Sequence, residues 1–220
     1  MTIAIGMRCI DGIVLAADQE ITGPSGVKYY EEKIRIIEGQ GWVLAITYAD
    51  STGLMKEAQK KILDFIGKTP DREITPDTVY TVAEVILIGM GRQQRDLNLQ
   101  LLIVISTIYE GPEMFMFDGS GLQRANGFDC LGVGDSSLIQ YLSKPLCSPL
   151  LATENGKNVG IHLVAKATQC ITGCGEPINV AIVKPAGIFI WLTASEIQDR
   201  KSAMEAVESQ HLLKIVESGG

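Results

Sequence analysis

Apolar residues recur with two different periods along this chain, and the period changes several times between the N- and C-terminus. Residues 3–9 and 13–17 are short, apolar and β-branched, and Asp11-Gly12 between them is a strong hairpin signal. Residues 33–37 and 42–48 repeat that pattern around Gly39-Gln40-Gly41, and Gly23, Pro24, Ser25 and Gly26 mark residues 22–30 as a loop. A helical period follows. Asp50 or Ser51 caps a helix to about residue 66 with Met55, Ala58, Ile62 and Ile66 on one face. A second helix runs from Asp77 through Val82, Val85 and Ile86 to about residue 91.

Strand patterns return at 99–109, 114–118 and 128–133, and the unbroken apolar run of residues 101–105 predicts a strand buried on both faces. Helices are then predicted from Gly134 to just before Pro145 and over residues 158–170, with Ile161, Val164, Ala165 and Thr168 inward. A last hairpin over 178–183 and 188–192 precedes a charged helix over 195–216, striped by Ile197, Met204, Val207 and Val216. Strands, two helices, strands, two helices, strands and a helix make an α+β chain. Two antiparallel sheets packed face to face, with helices outside, would bury the continuous apolar strands. No repeat, low-complexity segment or linker divides residues 1–220, which predicts one domain.

Composition narrows the function classes. A net charge of −7 without a basic cluster argues against a nucleic-acid partner. No apolar run reaches the length of a membrane span, and the N-terminus shows no signal pattern, so the expectation is a cytoplasmic chain with no membrane partner. Five cysteines, an odd number, point to reduced thiols.

Candidate chemistry gathers in the first 33 residues. Thr2 directly follows Met1, a small residue that generally permits removal of the initiator. A free α-amine on Thr2 would titrate near ~7.7–8 and could take the proton of its own hydroxyl, activating it as a nucleophile. Lys33 near that amine would ease alkoxide formation, and Asp18 beside Lys33 would keep it charged and oriented. Spacing alone favours the blander reading, with Asp18 merely ending a strand and Lys33 lying on a solvated turn. Other constellations are poorer. Cys170 and Cys174 with His162 lack a matching second pair for structural zinc. The two histidines, His162 and His211, fall in predicted helices and no Gly-x-Ser-x-Gly elbow is present. Gly132-Val133-Gly134 lacks the third glycine of a dinucleotide fingerprint and is read as a tight strand-to-helix turn. Arg92 and Arg95 are read as complementing a helix dipole or as solvated.

Thr2, Asp11-Gly12, Ala16-Ala17-Asp18, Thr22 and Lys33-Ile34 together resemble the start of a proteasome-type N-terminal nucleophile hydrolase. The resemblance continues at Ala49-Asp50, Gly132-Val133-Gly134 and Gly173-Cys174-Gly175, so it spans most of the chain. Lys33 falls one residue early relative to the family. The resemblance implies a four-layer αββα sandwich and a threonine-type peptidase. Its catalytic residues would be Thr2, Asp18 and Lys33, with Ile46 at the oxyanion position and Thr172 in support. It also implies peptide or unfolded-protein substrates, no metal or cofactor, assembly into homo-oligomeric rings, and a possible partner ATPase. Ile46 stands where the family has glycine, and its β-branched side chain is expected to compete with a substrate backbone for space. Val133, Gln169 and Glu20 replace a serine, an aspartate and an arginine of the family pattern. Those departures keep two alternatives open: a non-catalytic ring or scaffold subunit, and an amidase for small substrates.

Overall fold

The computed structural model describes residues 2–23, 25–49, 52–93, 100–132, 137–148 and 150–218, with residues 52, 55, 91–93, 137 and 211–218 described by their backbone only. The expectations resting on Met1, the cap at Asp50 or Ser51, Arg95, Val133 and the helix start at Gly134 lie outside the described residues, as do those on the side chains of Met55, Arg92, His211 and Val216.

Twelve strands and five α-helices alternate along the described chain. Strands β1 (Ile3–Cys9) and β2 (Gly12–Asp18) form the first hairpin. A small ribbon, β3 (Glu20–Thr22) with β4 (Lys28–Tyr30), leads to β5 (Ile34–Gly39) and β6 (Trp42–Ala49). Helices α1 (Thr52–Ile66) and α2 (Pro76–Gln93) precede β7 (Gln100–Thr107), β8 (Glu113–Phe117), β9 (Leu122–Arg124) and β10 (Phe128–Gly132). Helices α3 (Ser137–Leu146) and α4 (Thr153–Cys170), strands β11 (Ile178–Lys184) and β12 (Ile188–Trp191), and helix α5 (Ala194–Ser218) complete the order.

The strands make two five-stranded antiparallel sheets, one ordered β10-β1-β2-β11-β12 and the other β5-β6-β7-β8-β9. Side-chain alternation sorts each strand's apolar residues into separate cores. Trp42, Leu44, Ile46 and Tyr48 of β6, with Leu101, Ile103 and Ile105 of β7, pack against Ala58, Ile62, Val79, Ala83 and Leu87 of α1 and α2. Ile3, Ile5 and Met7 of β1, with Val14 and Ala16 of β2, pack against Ile161, Leu163 and Val164 of α4. The opposite faces of the same strands meet between the sheets: Ala4, Ile13, Leu15 and Ala17 against Val43, Ala45, Leu102, Val104 and Met114. Three cores between four layers define the αββα sandwich of the N-terminal nucleophile hydrolase fold, and the continuous apolar strands are those buried on both faces. Gly6 lets the sheets approach closely, since a Cβ there would lie 2.5 Å from the Met114 sulfur.

Several local readings change. Residues 22–30 are not all loop, because β3 and β4 pair as Glu20 with Tyr30, Ile21 with Tyr29 and Thr22 with Lys28. On α2 the buried stripe is Val79, Ala83, Leu87 and Met90, while Val85 is exposed. Helix α3 continues through Pro145 and ends one residue later, where the proline's missing N–H interrupts only the last turn. Helix α4 begins five residues earlier than its apolar period, at Thr153. Asp11 caps it from the first hairpin, accepting from Thr153 N at 2.7 Å and from Thr153 Oγ1 at 2.9 Å. Val207 of α5 is exposed rather than inward.

Candidate active site

The end of β2 and the entry to β5 place Asp18 and Lys33 at one end of the sandwich, one from each sheet. Both are fully buried, and Lys33 Nζ lies 2.7 Å from Asp18 Oδ1. Lys33 also donates to the Glu20 carbonyl at 2.7 Å. Asp18 Oδ1 accepts a second bond, from the Ile3 backbone N–H at 2.9 Å, and Oδ2 accepts from Gly175 N–H at 3.2 Å. The register that pairs Ala4 with Ala17 carries this contact one step further, bringing Asp18 beside the start of β1. Thr2, itself only 5% exposed, precedes Ile3, so the N–H that Asp18 accepts from belongs to the Thr2–Ile3 peptide bond.

Burial sets the electrostatics of the pair. Desolvation raises the Asp18 pKa and lowers that of Lys33, and their mutual attraction and hydrogen bonds oppose both shifts. A lysine so destabilised as a cation gives up its proton more readily than a solvated one. Cys174, buried against the same pair, has its thiol pushed up to about 12, first by desolvation and then by the Asp18 charge.

The other candidates distribute unevenly. Ile46 lies in the middle of β6 with its side chain fully buried in the α1–α2 core, and its carbonyl accepts from Gln59 Nε2 at 3.3 Å. Thr172 is exposed in the turn after α4. What this turn brings to the pair is backbone, the N–H of Gly175. A Cβ on Gly175 would lie 2.1 Å from Glu20 Oε2, so glycine is what lets the turn close over the Glu20 carboxylate. Glu20 is in turn held by Lys28, whose Nζ lies 2.9 Å from Oε1 and 3.0 Å from Oε2. Cys170 is exposed while Cys174 is buried, so the two thiols do not face one site.

The glycine motif at 132 meets Thr2 directly, and a second residue, Gln100, holds that glycine without belonging to any motif. Gly132 closes β10 with φ +73°, and a Cβ there would lie 2.1 Å from the Thr2 carbonyl oxygen and 2.9 Å from Ala49 Cβ. Gln100, the first residue of β7, reaches from the opposite sheet so that its Oε1 accepts from Gly132 N–H at 2.6 Å. The available signal for Gln100 is its polarity immediately before the apolar run of residues 101–105.

The two-sheet αββα sandwich defines the fold class as that of the N-terminal nucleophile hydrolases, and the buried lysine–aspartate pair lies beside the start of β1, next to Thr2. A family model described as "Proteasome subunit" matches residues 2–183, and the chain belongs to that family. It is 24% identical over 195 residues to a proteasome subunit beta of Methanococcus vannielii, covering 86% of each chain. Among solved structures, the Anbu Gly-1 mutant of Hyphomicrobium sp. strain MC1 superposes with a TM-score of 0.80 at 14% identity. That match covers 98% of this chain and 99% of the other. The helical Anbu assembly of Pseudomonas aeruginosa matches with a TM-score of 0.70 at 11% identity, covering 94% and 95%. Among the described residues no helix is long and apolar enough to cross a membrane.

Proposed function

We propose that this chain is a proteasome-like threonine peptidase in which Thr2, freed of Met1, attacks peptide bonds. The observation that carries the reading is the buried Lys33–Asp18 pair, fastened through Asp18 Oδ1 to the Ile3 backbone immediately after Thr2. An ion pair withdrawn from water costs several kcal/mol per ion in desolvation and is weak support for stability, so its placement beside the terminus favours a chemical role. The Thr2 Oγ attacks the substrate carbonyl carbon while its proton passes to the α-amine. The resulting ammonium returns that proton to the departing amine as the C–N bond breaks, leaving an ester on Thr2. Water then attacks the ester carbonyl and the amine accepts the water's proton, which it returns to Thr2 Oγ as the ester C–O bond breaks, releasing the acid product with Thr2 restored. Lys33, kept cationic by Asp18, favours the alkoxide and disfavours a second positive charge on the amine.

Family membership supports peptide substrates, and assembly with further copies of this chain accompanies the reading. Intact mass tests whether Met1 is removed. A threonine-directed peptide epoxyketone is then expected to add one equivalent to the wild-type chain and none to Thr2→Ala, with turnover of a fluorogenic peptide lost in the variant. A chain that retains Met1, or a processed chain that resists the probe, overturns the proposal. Labelling without peptide turnover would point to a small-substrate amidase instead.

A further inference from the structure

We infer that Gln100 is a positioning residue for Thr2, acting across the sandwich through the backbone of Gly132. The inference deepens the threonine-nucleophile reading and rests on it. Gln100 sits opposite Ala49 in the β6–β7 ladder, and Gly132 sits opposite Ile3 in the β1–β10 ladder, so the residues belong to different sheets. The hydrogen bond from Gly132 N–H to Gln100 Oε1, at 2.6 Å, ties the sheets together beside Thr2. Its partner being an N–H donor, the bonded carboxamide atom must be the oxygen, which fixes the orientation of the side chain.

Gly132 can transmit that hold because nothing separates it from Thr2. Its left-handed φ of +73° presses the residue so close that a Cβ would overlap the Thr2 carbonyl at 2.1 Å. A shift of Gly132 is therefore a shift of Thr2. Asp18 holds the same Thr2–Ile3 peptide group at its N–H, the Ile3 N–H. The nucleophile is clamped between a charged pair and a neutral carboxamide. Among the described residues, the side-chain hydrogen bond to this end of β10 comes from β7. The carboxamide stands within roughly 7 Å of the Thr2 carbonyl, taking ordinary backbone dimensions, and the α-amine is on the same residue.

The test uses full-length processed protein and measures the epoxyketone's maximal labelling rate and half-saturation concentration against pH. Gln100→Leu removes the acceptor and is expected to lower the maximal rate about 10- to 100-fold, as sub-ångström to ångström misplacement of a reacting group does, with half-saturation little changed. Gln100→Glu keeps an acceptor for Gly132 N–H and is expected to restore the plateau rate. Its added negative charge stabilises the ammonium form of Thr2, so the rising limb of the profile should move to higher pH by about half a unit. Melting temperatures of both variants check that the fold is retained. A Gln100→Leu protein that labels at the wild-type rate overturns the inference, as does a Gln100→Glu protein whose plateau is not restored or whose limb does not move. Wild type that takes no label overturns the nucleophile reading, and this inference with it.

Discussion

Replacing Lys33 by Met tests whether the lysine and aspartate are energetically one unit. The substitution leaves Asp18, fully buried, with two backbone donors among the described residues, Ile3 N–H at 2.9 Å and Gly175 N–H at 3.2 Å. Breaking a buried pair from one side strands the other charge and costs about 3–5 kcal/mol. For a chain of this size that lowers the melting temperature by roughly 6–20 °C. Asp18→Asn strands Lys33 in the same way, leaving it the Glu20 carbonyl at 2.7 Å as an acceptor. The double variant Asp18→Asn/Lys33→Met removes both charges together and should recover about 2 kcal/mol or more of the summed losses. Urea unfolding of the four proteins, compared at one oligomeric state by sedimentation, gives the cycle. Acidification supplies a second readout. Asp18 has its folded-state pKa raised, so its contribution is full below its ordinary value of 3.8 and is lost as pH rises through the higher folded value. With Lys33 gone that raising grows, and the Lys33→Met protein should regain stability relative to wild type as pH falls from 7 toward 4. Single losses that simply add, to within about 0.5 kcal/mol, would refute the coupling.

Three other outcomes are expected. Gly132→Ala forces a Cβ into the Thr2 carbonyl and strains a left-handed backbone at a cost of about 1–2 kcal/mol from the strain alone, and should abolish epoxyketone labelling as read by intact mass. Asp11→Ala removes the cap of α4, costing about 1 kcal/mol and raising hydrogen exchange in the first turn after Thr153. Because hydrogen bonds from Thr153 hold the Asp11 pKa below 3.8, that support is present above pH 3.8 and disappears as pH falls through the lowered value. Iodoacetamide should modify the exposed Cys170 in the native protein and spare Cys174 until it unfolds, as mass mapping would show, because only the deprotonated thiol reacts and burial holds Cys174 protonated.

Much of the architecture was legible in the order of residues because period and turn chemistry are local properties. Alternation and unbroken apolar runs announce strands such as β6 and β7, buried on both faces, and Asp11-Gly12 announces the first hairpin. Thr2, Asp18 and Lys33 are residue types the chemistry needs, but what singled them out was the resemblance of their surrounding motifs to the proteasome-type pattern. Tertiary structure alone decided the rest. That Asp18 and Lys33 meet in a water-free space follows from sheet register, and register depends on strands far apart in the chain. Helix α4 starts at Thr153 because its cap comes from Asp11, 142 residues away, which no local window contains. Gln100 and Gly175 act on the site through a carboxamide oxygen and a backbone N–H. Residue type says which atoms can donate or accept; only the packing of two sheets says which of them come within reach of Thr2.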